Sequence, residues 1–117
     1  MSAPKPVGPY TPIVRAGDWL IVSGQVGVEG GKLPDGVAAQ TAQAVRNVAA
    51  QPATEGAALT DVAKTLCFLT DMGDFATFNE AYIAGFGDHR PARSTVGVAA
   101  LPIGAVVEIE AWAYKPG

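Results

Sequence analysis

The chain carries one cysteine and one histidine in 117 residues. A single thiol forms no internal disulfide, and one imidazole without a cysteine cluster or a spaced carboxylate–histidine set gives no case for a metal site. Charge is sparse as well. Only 16% of residues are charged, and 8 basic against 11 acidic side chains leave a net −3, with no basic stripe to follow a phosphate backbone. Nucleic acid is therefore disfavoured as a partner. No apolar run approaches the ~18 residues of a membrane span, and no charged leader with an apolar segment and small-residue cleavage site opens the chain. The expected setting is soluble, reducing and cytoplasmic, with no membrane partner. The glycines near 24–31 make neither a phosphate loop nor a dinucleotide fingerprint.

What is present is 49% hydrophobic residues in a length that suits one domain, 1–117, with residues 1–9 too rich in proline and glycine for a regular element and expected as an ordered arm. Ile13–Arg15, a turn at Ala16-Gly17-Asp18 and Trp19–Ser23 predict a hairpin. From Val37 to about Ala50 the apolar positions recur at helical spacing, with Gln40, Gln43, Arg46 and Asn47 expected on the polar side. Pro52 should break or kink this helix, and Gly56 should end what remains. Val62–Leu69 predicts a strand. Asp74 is the expected cap of a second helix over about Phe75–Gly85, with Phe75, Phe78 and Tyr82 on one stripe. Strands at about Ser94–Ala100 and Val106–Tyr114 complete a ββαβαββ order, an α+β domain with one sheet and both helices on one face.

The last strand divides by alternation. Val107, Ile109, Ala111 and Ala113 share the face suited to helices, while Val106, Glu108, Glu110, Trp112 and Tyr114 share the other. A face mixing carboxylates with large aromatics predicts contact with another subunit.

Arg93 opens the strand expected to pair with the Glu108 strand. Its planar donors match the two oxygens of a carboxylate ligand, although a surface ion pair is the plain alternative. Glu108 is the candidate base, with salt bridging or solvent exposure as its alternative and as the preferred reading of Glu110. Cys67, in the middle of a strand pattern, reads as a small buried hydrophobe with no base placed for it. Tyr10 is either an aromatic anchor for the arm or a donor to the site. Gly24, at a strand end beside Ser23, permits close backbone approach or marks a bulge. His89 reads as a loop residue.

The runs Val7-Gly8-Pro9-Tyr10, Val22-Ser23-Gly24-Gln25, Phe75 to Tyr82, Pro91-Ala92-Arg93-Ser94 and Leu101-Pro102 followed by Glu108-Ile109-Glu110 resemble, in order and over nearly the whole chain, the Rid (YjgF) family of small enamine/imine deaminases. The resemblance implies a chorismate-mutase-like fold and a homotrimer with sites between subunits. It implies hydrolysis of 2-enamine/2-imine acids such as 2-aminoacrylate to 2-keto acids and ammonia, without a cofactor, in protection of pyridoxal-phosphate enzymes. It assigns Arg93 and the Thr95 N–H to the substrate carboxylate and Glu108 to a water, and it matches Asn79 to a family asparagine near the cleft, with a helix-facing hydrogen bond as the alternative. Thr95 stands where many members carry cysteine. A binding module that captures small carboxylates or keto acids without turnover would use Arg93 and Thr95 equally well, and the endoribonuclease activity of some relatives fits an acidic chain poorly.

Overall fold

The computed structural model describes residues 3, 5, 6 and 8–117, so the expected arm falls partly outside the described residues. The elements are β1 (Ile13–Ala16), β2 (Trp19–Val26), α1 (Val37–Ala53), β3 (Val62–Leu69), α2 (Phe75–Phe86), β4 (Ala92–Gly97) and β5 (Val107–Tyr114). The ββαβαββ order and the α+β class are those expected. Gly17, at φ 61°, holds the first central position of the two-residue β1–β2 turn, where a positive φ lets the turn follow the twist of the strands.

The five strands lie in the order β1-β2-β5-β3-β4, antiparallel except for the parallel pair β3–β4 that the α2 crossover makes. The Arg93 strand therefore does not pair with the Glu108 strand. β3 lies between them, because β4 is delivered to the outer edge of β3 and the 98–106 connection must then pass β3 to reach β5.

Both helices cover one face. Val107, Ile109, Ala111 and Ala113 of β5 are fully buried there with Leu20, Val22, Cys67 and Leu69, against Val45 and Val48 of α1 and Phe78, Tyr82 and Phe86 of α2. Gly85 lets the helices approach, since a Cβ there would stand 2.7 Å from a Val45 methyl.

Three local expectations are corrected. The polar side of α1 is solvated only at Arg46: Gln40, Gln43 and Asn47 are buried, with Asn47 donating to the carbonyls of Val26 and Val28 and Gln40 accepting from the N–H of Val106. Pro52 does not break α1, which runs to Ala53. It sits in the last turn, where its missing N–H removes one terminal bond and its own carbonyl accepts from Glu55 and Ala57. Asp74 precedes α2 but makes no side-chain cap; Asp71 instead accepts from the N–H of Gly73 at 2.8 Å and turns the chain into the helix.

Candidate functional site

The site residues gather in two places. On the helix side, Arg93 and Thr95 of β4 stand opposite Thr65 and Cys67 of β3, both fully buried on the helix-covered face, so alternation turns all four side chains toward α2. The Arg93 guanidinium carbon lies 4.9 Å from the centroid of Tyr82, 5.4 Å from Phe78 and 5.6 Å from Phe75. The ion pairs among the described residues are Arg15–Glu55 and Lys115–Asp61. Arg93 is half-buried, and among the described residues nothing accepts its N–H groups. Thr95 Oγ1, at the next helix-facing position of β4, lies by the Cys67 thiol without a hydrogen bond of ordinary geometry, and Asn79 Oδ1 of α2 is buried without a hydrogen-bond partner. Polar atoms left in that state are costly unless something else meets them.

Below the guanidinium, Tyr82 and Thr65 join hydroxyls at 2.8 Å, and the Cys67 thiol lies 3.9 Å from Thr65 Oγ1. Burial pushes the Cys67 thiol up to about 11, against smaller opposing effects of Thr65 and Arg93. At neutral pH it is a thiol, which makes it a packing residue as expected and a poor nucleophile. Burial likewise raises the Tyr82 phenol, with the Thr65 hydrogen bond and the cationic Arg93 opposing.

The second cluster lies on the uncovered face. β2 loses its regular register against β5 between Val22 and Gln25, and the bulged segment brings Gly24 under Glu108. A Cβ at Gly24 would stand 2.7 Å from the Glu108 carboxyl carbon and 2.9 Å from Oε1, so only glycine leaves room for that carboxylate. A cavity of about 20 Å³ adjoins it, with Lys5, Pro6, Tyr10, Gln25 and Val28 among its walls. That space suits a single water, which needs ~10–15 Å³ by this measure and polar partners. Burial raises the pKa of Glu108 and the neighbouring Glu110 carboxylate raises it further; Glu110 is raised by burial. Ser23 spends its hydroxyl proton on Thr11 O at 2.6 Å and its backbone N–H on Pro12 O at 2.9 Å. It ties the incoming chain to β2 and so sets where Tyr10 enters the cavity wall.

Within one chain the clusters do not meet. Two strand spacings, roughly 10 Å, separate β4 from β5. Arg93 is level with Ala111, whereas Glu108 is level with Phe68 and Val96, and the two side chains leave opposite faces. Among the described residues no group of three or more His, Cys, Asp or Glu side chains could hold a metal ion, and no helix is long and apolar enough to cross a membrane.

The family described as Endoribonuclease L-PSP matches residues 1–115. The chain belongs to the Rid (YjgF) family. It is 43% identical to an Escherichia coli protein named 2-iminobutanoate/2-iminopropanoate deaminase, over 97% of this chain and 93% of that one. Its structure is similar to that of the Escherichia coli YjgF gene product, with TM-score 0.92 and 43% identity over 97% and 93% of the two chains. It is also similar to Escherichia coli TdcF with bound serine, with TM-score 0.91 and 39% identity over the same shares. This Rid-family chain thus has the expected sheet and helices.

The sequence named Arg93, Thr95 and Asn79 on one side and Glu108, Tyr10, Ser23 and Gly24 on the other as candidates, but gave no sign of Thr65, Lys5 or Gln25 beside them, nor of their surroundings. Phe75, Phe78 and Tyr82 were expected only as a helix stripe, and their spacing carries no sign that an arginine lies across them. Nor does a glycine in a strand announce the carboxylate above it.

Proposed function

We propose that this Rid-family protein hydrolyses 2-enamine/2-imine acids to 2-keto acids and ammonia, at sites that two subunits of a homotrimer complete. The observation that carries the reading is Arg93: a half-buried guanidinium, clear of every carboxylate among the described residues, suits a carboxylate supplied from outside. The opposition of Arg93 and Glu108 across the sheet supports the intersubunit site. So does the uncovered face, where Trp19, Ile21, Val96 and Tyr114 are exposed and Leu66, Phe68 and Trp112 only half-buried. A second copy packed there would set the Glu108 side of one chain against the β4 edge of another.

Arg93 would fork the carboxylate of the imino acid, with the Thr95 N–H holding the same group and Asn79 facing the cleft. The imine carbon is already electrophilic, so the protein supplies position and a proton path. Glu108 would take a proton from a water held in the adjoining cavity as the oxygen bonds to the imine carbon. Glu108 returns that proton to the imine nitrogen, giving a neutral carbinolamine; the hydroxyl proton then passes, again through Glu108, to the amino group as the C–N bond breaks, so that ammonia leaves and the carbonyl forms. One water is consumed, and one keto acid and one ammonia are released. A carboxylate whose pKa is raised by burial both accepts and returns that proton more evenly than an exposed one. Tyr10 would close the water side of the cavity.

Ammonia release from 2-iminopropanoate generated in situ tests the reading. Parent protein should accelerate it, and Glu108→Gln should keep affinity for pyruvate while kcat falls about 10²–10⁴-fold. Binding without any acceleration by the parent would leave a capture module for small carboxylates instead.

A further inference from the structure

An arginine meant for a ligand must be held still without being neutralised. A resident carboxylate would orient Arg93 but compete with the ligand for the same in-plane donors. Aromatic rings attract the cation through their faces and take none of its N–H groups. We propose that Phe75, Phe78 and Tyr82 form a cradle that positions the Arg93 guanidinium for the carboxylate of its ligand, a role that rests on the carboxylate-clamp reading above.

Residues 75, 78 and 82 follow helical spacing on one side of α2, and all three rings lie within 5.6 Å of the guanidinium carbon. The cradle is itself fixed. Tyr82 is tied to buried Thr65 through its hydroxyl and packed between Phe78 and Phe86, at centroid distances of 5.6 and 4.6 Å. Phe78 is fully buried. Phe75 is different, since it opens α2 at the rim and stays 38% exposed. Burial gives it little reason to be aromatic, and the guanidinium beside it does. The cradle supplies no anion, and the buried polar side chains of the same two elements, Thr95 of β4 and Asn79 of α2, are neutral groups. It therefore suits a ligand that brings one planar carboxylate.

Phe75 is the position to test, because a change at the rim spares the core. Phe75→Leu and Phe75→Met keep apolar bulk but lose the ring, and each should raise the Kd for 2-oxobutanoate and the KM for 2-iminobutanoate about three- to tenfold. Their kcat should stay within about twofold, because a clamp holding ground and transition states alike is lost from KM. Phe75→Tyr and Phe75→Trp should bind as the parent does. Parent-like affinity in Phe75→Met overturns the cradle, as does weakening in all four variants. Arg93→Ala separates the layers: if it loses 2-oxobutanoate while Phe75→Leu and Phe75→Met keep it, the clamp stands and the cradle fails. If Arg93→Ala binds like the parent, both fail.

Discussion

Gly24→Ala should damage activity far more than stability. The backbone at Gly24 lies outside the left-handed region, so alanine adds only a methyl group, and that methyl meets Glu108. To retreat from 2.7 Å to the 3.4 Å of ordinary contact, the carboxyl carbon must move about 0.7 Å, and misplacement of a catalytic group by ~1 Å costs about 10²-fold. The obstructing atoms are the far end of a flexible side chain on a half-buried face, so the fold should lose no more than ~1 kcal/mol, at the low end of overpacking costs. The assay is kcat for ammonia release from 2-iminopropanoate, with a thermal melt and pyruvate affinity measured alongside. We expect kcat to fall about 10- to 100-fold, with pyruvate affinity within about twofold of the parent. A Gly24→Ala variant that folds, assembles and turns over at the parental rate would refute the idea that the Glu108 position above Gly24 matters to the chemistry.

Arg93→Lys keeps the charge but not the planar fork, so kcat/KM should fall by the equivalent of ~2–4 kcal/mol; a parent-like value sinks the clamp. Sedimentation equilibrium should return a mass near three chains, whereas a stable monomer at micromolar concentration would remove the intersubunit site. The pKa of Glu108 in the folded chain lies above its ordinary 4.5, so the folded state holds that proton more tightly than the unfolded one and stability is lost as pH rises through the folded value. Glu108→Gln should therefore melt higher than the parent at pH 7, and the gain should shrink below pH 4.5; equal melting temperatures throughout would show that Glu108 is not held at a cost.

How far the fold and site could be read in advance depends on the kind of information each needs. The alternation in β5 was legible because Val107, Ile109, Ala111 and Ala113 are all apolar and all face the helices. The face of Gln40, Gln43 and Asn47 was not, since helical periodicity assumes that polar residues seek water. Here Asn47 and Gln40 serve backbone groups at the end of β2 and just before β5, Gln43 joins the side chains of Asn47 and Arg46, and Gly27 allows α1 to come in against it at Gln40. Strand order carries no local signal, so β4 was expected beside β5. That one error concealed the most informative feature of the site, that Arg93 and Glu108 leave opposite faces of the sheet with β3 between them. The candidate site residues were named from their runs of sequence, which give residue types and order but not which face or which neighbour.

Because the two groups cannot meet in one chain, subunit mixing tests the account most directly. Arg93→Ala and Glu108→Gln chains, each nearly inactive alone, should be dissociated, mixed and reassembled, and the rate of 2-iminopropanoate hydrolysis measured. The account predicts that activity returns to a sizeable fraction of the parental rate, because mixed assemblies contain clefts with one intact Arg93 and one intact Glu108. Mixed assemblies that form but remain as slow as the two variants apart would contradict it.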